Sequence, residues 1–241
     1  MRLRAWLFAA CALSFGLGTA HAQNYSTGAV DIYNTCNTGP DLPQTIPEAA
    51  NVRHWWDLAK FPQVSRWEKS DVWNTDFTDG STGDLEPQGG SDVANIYFFT
   101  GHGTCQSTPQ ATDPDFLVTC SGGTLGSTNI GTKSRWGNAG GHSRFMLLDA
   151  SCPMDLVSLS NNWFPPFRGL HVATGHSGNR THDTLDSSSR GDQFAARTVG
   201  VTTTFLGIVI STIPKQSVTW AWMNTGLIDV QSQVCAVSIA N

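Results

Sequence analysis

Residues 96–103 read IYFFTGHG, and residues 145–152 read FMLLDASC. Each is a continuous apolar run that stops at a reactive side chain, His102 in the first and Cys152 in the second. An unbroken apolar run of this length, ended by Gly101 in the first case, is what a strand buried on both faces requires. A third run, GLHVATG, occupies 169–175. Helical text lies around them. VRHWWDLAKF (52–61) has apolar residues at helical spacing. PMDLVSLSNNW follows Cys152 with Pro153 suited to a first turn, and RGDQFAARTVGVTTTFLGIVIST (190–212) reads as a long helix. Strands alternating with helices predict an α/β sandwich with a mostly parallel sheet.

Outside these segments the text is irregular. Residues 23–50 carry Pro, Gly and Asn with little periodicity and read as a surface wrapping, and 62–91 (including DGSTGDLEPQGGSD) as a turn-rich loop. Residues 104–143 are mostly Gly, Ser, Thr, Asn and Pro, an excursion with a short hairpin around DFLVTC. The text near 217–223 and LIDVQSQVCAVSIA (227–240) supply the last helix or strand pieces. The expected organisation is a leader at 1–22, a wrapping segment at 23–91 and one α/β core at 92–241.

The leader follows from Arg2 and Arg4, the apolar stretch AWLFAACALSFGLGTA, and an Ala20-His21-Ala22 cleavage site. That pattern is a secretory signal peptide, placing the protein outside the cell or in the periplasm. No second stretch approaches the roughly 18 apolar residues of a membrane span. A net charge of −5 argues against nucleic acid, which is bound mainly through Lys and Arg. Removing Cys11 with the leader leaves five cysteines, and exported domains tend to pair theirs. The expected pairs are Cys105–Cys120, closing a short loop, and Cys36–Cys235, with Cys152 as the free thiol; the alternative frees a different cysteine.

Ligands of open parallel sheets bind outside the carboxyl ends of the strands. If the two runs are neighbours, His102 and Cys152 share one rim. A free cysteine is only a few per cent thiolate at neutral pH, so an adjacent imidazole assists it. The Gly103 amide, with that of Cys152 at a strand-to-helix junction, suits an oxyanion. Taken singly, His102 reads as a hydrogen-bonded strand-end histidine and Cys152 as a small buried hydrophobe. A disulfide at Cys152 would exclude the dyad.

An apolar strand ending in His-Gly, then one ending in Ser-Cys 50 positions later, resembles the caspase-like superfamily of cysteine peptidases, in a bacterial exported branch. There the histidine lies about 50 residues before the cysteine. The resemblance covers roughly 92–178. It implies a three-layer α/β/α sandwich, a His102–Cys152 dyad hydrolysing peptide or protein substrates, and a substrate cleft to which Thr174, His176 and Ser177 contribute. The chain departs from the family at Pro153 after the cysteine and at Ala150 two residues before it, where relatives place a polar specificity residue. Asp149, one step back, should face the opposite side of the sheet.

Three other readings compete. A catalytically inactive caspase-like module would bind cell wall, carbohydrate or a protein ligand. GHSGN (175–179) echoes a nucleophile elbow around Ser177, but Asn179 stands where the turn needs a small residue and only His182 follows it among histidines. His171, His176, His182, Asp183 and Asp186 match no zinc spacing. No cofactor is expected; calcium on the Asp-containing loops has no motif behind it.

Overall fold

Side-chain alternation along the central strands decides where every other element packs. The structure is a computed structural model describing residues 23–36, 39–79, 85–86, 89–103, 115–119, 124–137, 141–154, 166–176, 187–226 and 236–240. Strands β1 (Tyr25–Ala29), β2 (Gln63–Glu68), β3 (Ile96–Thr100), β6 (Phe145–Asp149), β7 (Val172–His176) and β10 (Ala236–Ala240) form one sheet, in the order β10-β7-β6-β3-β1-β2. All pairs are parallel except β10 on β7. Two small hairpins stand apart, β4 (Asp115–Val118) with β5 (Thr124–Gly126) and β8 (Val201–Phe205) with β9 (Ile208–Ile213). Helices are α1 (Tyr33–Cys36), α2 (Thr45–Leu58), α3 (Ser127–Lys133), α4 (Ser187–Val199) and α5 (Val218–Gly226). The fold is a single-domain α/β sandwich, with a mostly parallel sheet between two helical layers.

Ile96, Phe98 and Leu147 face one side, where they pack with Val52 and Trp56 of α2, Phe194 of α4 and Trp222 of α5. Phe194 lies between rings, 6.4 Å from Phe98 and 5.5 Å from Trp222. Its burial contributes on the order of 1.5–3 kcal/mol. Tyr97, Phe99, Met146 and Leu148 face the other side and meet Tyr33, Phe77, Ile130 and Trp136. Both faces are covered, which is why these strands read as unbroken apolar runs rather than alternating ones.

The segment read as a surface wrapping is instead structural. Every residue of β1 is buried, and β1 sits between β2 and β3 inside the sheet. Its sequence, YSTGA, hides this because the strand is buried through small and polar residues; Thr27 Oγ1 accepts from the Arg53 guanidinium at 3.3 Å. Gly28 leaves room for the Tyr97 hydroxyl, which occupies the space a Cβ would need. The helix expected at 52–61 starts earlier, at Thr45, whose hydroxyl donates to the Leu42 and Val30 carbonyls. The helix expected over 190–212 ends at Val199, and the rest is the β8–β9 hairpin. Gly200, with φ +76°, closes the helix, since a left-handed residue there stops the α ladder. The Thr, Val and Ile that follow favour strands. PMDLVSLSNNW falls largely outside the described residues.

Candidate active site

Strands β3 and β6 are direct parallel neighbours, with Thr100 opposite Asp149 and the Gly101 amide donating to the Asp149 carbonyl at 3.2 Å. His102 and Cys152 therefore leave the sheet on one rim, two and three residues beyond their paired strand ends. Helix α1, which follows β1 on the other side of β3, completes this rim.

His102 is held from two directions. Its backbone amide donates to the Tyr33 hydroxyl at 2.7 Å, and its ring lies 4.4 Å from the Tyr33 ring. Its Nε2 is 2.8 Å from the Pro40 carbonyl oxygen. A carbonyl only accepts, so Nε2 carries the hydrogen. In the neutral ring Nδ1 is then the basic nitrogen. Gly39 packs against the same imidazole; a Cβ there would lie 3.3 Å from its Cδ2. Burial pushes the Tyr33 phenol well above its ordinary range despite the His102 amide hydrogen bond, so it stays a neutral hydroxyl. Tyr33, Gly39 and Pro40 belong to the segment read as wrapping. The Gly-Pro turn is visible in the sequence, but nothing local announces that it lands on His102.

Cys152 departs from the expectation. It is disulfide-bonded, as is Cys36 at the end of α1. The expectation of Cys152 as the free thiol is therefore incorrect. Cys105, Cys120 and Cys235 lie outside the described residues. Cys152 is 5% exposed and adopts φ +54°, a left-handed conformation that a non-glycine residue enters at some cost. Its sulfur has no thiolate form while oxidised, so the disulfide excludes the expected dyad in this state and only a reduced form of the chain could carry it. Beyond it, the Met154 amide donates to the His176 carbonyl at 3.0 Å, carrying the chain across the end of β7. Gly103 follows His102 and is half-buried.

The expectation is corrected for two of the cleft residues, Thr174 and His176. Both are fully buried on the face packed against α2, α4 and α5, because Thr174 lies opposite Leu147 of that face and His176 shares its parity. His176 Nε2 lies 2.8 Å from Asp149 Oδ1 and 2.6 Å from the Arg190 guanidinium, and its ring is 5.1 Å from Trp222. Asp149 faces this interior side, as alternation requires. These groups form a buried polar layer tying β6 and β7 to α4, alongside Thr100, which donates to Glu48 of α2 at 2.6 Å. Gly175, between Thr174 and His176, faces the other side; a Cβ there would meet Pro153 and Met154. Ser177, His182, Asp183 and Asp186 lie outside the described residues.

Several carboxyl groups elsewhere are perturbed, Glu86 and Asp76 the most strongly. Burial raises Glu86 to about 9 and Asp76 to about 6, partly offset by amides of Arg135 and Trp73 respectively. Among the described residues, no group of three or more His, Cys, Asp or Glu is placed to hold a metal ion. No helix there is long and apolar enough to cross a membrane.

Fold and rim together define an α/β sandwich with a histidine and an oxidised cysteine after adjacent central strands. A family model described as "Domain of unknown function (DUF6345)" matches residues 30–241, and the chain belongs to that family. No curated protein matches the chain.

Proposed function

We propose that this protein is an exported, caspase-like cysteine hydrolase in a latent, oxidised form, acting on peptide or protein substrates. The observation that supports it is the seating of His102. An imidazole with one nitrogen tied to the Pro40 carbonyl and the other basic, on the same rim as Cys152, has the base-plus-orienter layout of an activated nucleophile. Activation begins when a thiol reductant takes up the disulfide: two thiols form on the protein and the reductant becomes a disulfide.

The Cys152 thiol then loses its proton to His102 Nδ1, and the sulfur attacks the substrate carbonyl carbon. The resulting oxyanion is received by the Gly103 and Cys152 amides. Collapse breaks the carbon–nitrogen bond as His102 protonates the departing amine. Water, deprotonated by the same nitrogen, releases the acyl group and restores the thiol.

The disulfide and low exposure of Cys152 favour a second reading, a non-catalytic module binding a protein, carbohydrate or cell-wall ligand. One experiment separates the two. Wild type, Cys152→Ala and His102→Ala are compared on a peptide library, each with and without reductant. The hydrolase reading expects turnover by reduced wild type alone, with each variant at least ~10²-fold slower. Equal turnover by all three, or none by reduced and still folded wild type, rejects it in favour of the binding module. Mass spectrometry of iodoacetamide-treated protein checks the redox state, with Cys152 labelled only after reduction.

A further inference from the structure

The β8–β9 hairpin projects from the link between α4 and α5, with nearly all its residues exposed. Leu206 is 85% exposed, Ile208 68% and Ile210 62%, with Val209 at 57%. Thr202, Thr203 and Thr204 of β8 are exposed as well. Val201 pairs with Ile213 at the base and Phe205 with Ile208 at the tip. Leu206 and Gly207, with φ of +49° and +78°, make the two-residue turn. No residue from Gly200 to Pro214 is charged.

A two-stranded ribbon open on both faces is marginal alone in water. Natural proteins normally guard such edges with lysine, proline or a covering element. Among the described residues neither strand has a further strand partner. We propose that β9 pairs antiparallel with β9 of a second copy of this chain, making a four-stranded sheet across a two-fold axis.

The strand is compatible with itself. A two-fold axis between Ile210 and Ser211 sets Ile208 opposite Ile213, Val209 opposite Thr212 and Ile210 opposite Ser211. Apolar and β-branched residues then meet across most of the pairing. In a chain of net charge −5, an uncharged strand lets two copies approach without like charges meeting at the axis. The pairing also gives the edge amides and carbonyls of β9 partners in one step, and such contacts are isologous and closed. A lipid surface would cover the apolar tip but offers nothing to the open backbone edge.

The full protein is measured by gel filtration with light scattering across a concentration series, beside Ile210→Lys and Ile208→Lys. Wild type should have twice the chain mass at micromolar concentration. Ile210→Lys places two lysines beside the axis and should weaken association by at least ~10²-fold, giving the single-chain mass. Circular dichroism checks that the variants fold, which their exposure favours. In wild type, amides of 208–213 should gain hydrogen-exchange protection with concentration. A wild type monomeric throughout, or dimers persisting in both variants without concentration-dependent protection of β9, overturns the proposal. So does flotation of monomers with phosphatidylcholine vesicles, which would assign the hairpin to a membrane surface.

Discussion

At the residue scale, the chain keeps several ionisable groups where water cannot reach them. Glu86 illustrates the consequence. Its side chain accepts the Arg135 amide at 2.8 Å, and burial raises it to about 9. The folded state therefore holds a proton that the unfolded chain releases near pH 4.5. With more protons bound in the native state, stability falls as pH rises between about 4.5 and 9. Glu86→Gln keeps an oxygen to accept the amide and carries no charge. Its stability advantage over wild type should grow across that window, reaching roughly 1–3 kcal/mol at the alkaline end. Urea unfolding at pH 5, 7 and 9 measures it, and a constant difference would contradict the assignment. Asp76, raised to about 6 by burial, adds a smaller trend of the same sign. His102 is legible in the sequence as a reactive strand-end residue. Its orientation by Tyr33 and Pro40 is not, because those residues lie more than sixty positions upstream and meet it only when β1 enters the sheet.

At the element scale, α2 and α4 approach each other at Gly191. A Cβ there would lie 2.7 Å from Glu48 Cγ and 2.8 Å from the Glu48 carbonyl oxygen. The backbone of α2 cannot yield as a flexible side chain would. Gly191→Ala should therefore destabilise by about 1–3 kcal/mol, although alanine is the better helix former. Thermal unfolding would show a lower midpoint; a higher one would mean that helix propensity outweighs the clash. Periodicity identified the apolar strands well, since unbroken hydrophobic runs are rare outside buried strands. It failed for β1 and for 201–213. In β1 the strand is buried through Ser, Thr and Gly, whose fitness depends on Arg53, Tyr97 and Phe99 across the interface. In 201–213 an apolar run adjoining a helix reads as its continuation, although Gly200 and β-branched residues favour a break.

At the scale of the whole molecule, Cys36 and Cys152 bring covalent restraint to the rim where the candidate active site lies. A native disulfide typically contributes about 2–4 kcal/mol. Reduction should therefore lower the thermal midpoint by roughly 5–15 °C for a chain of this length. Calorimetry with and without reductant measures this, and an unchanged midpoint would show that the bridges restrain nothing the fold does not already hold. The same reductant is expected to release activity, so stability and function are coupled in opposite directions.

The sequence by itself determined the α/β class, the central strands and the placing of His102 and Cys152 after two of them. Those features depend on local hydrophobic runs and on glycine. Only the tertiary structure decided that β1 is interior, that His176 is buried against Asp149 and Arg190, and that Cys152 is oxidised. Each of these depends on which distant residue arrives beside it, and one strand's own residues do not encode their neighbours.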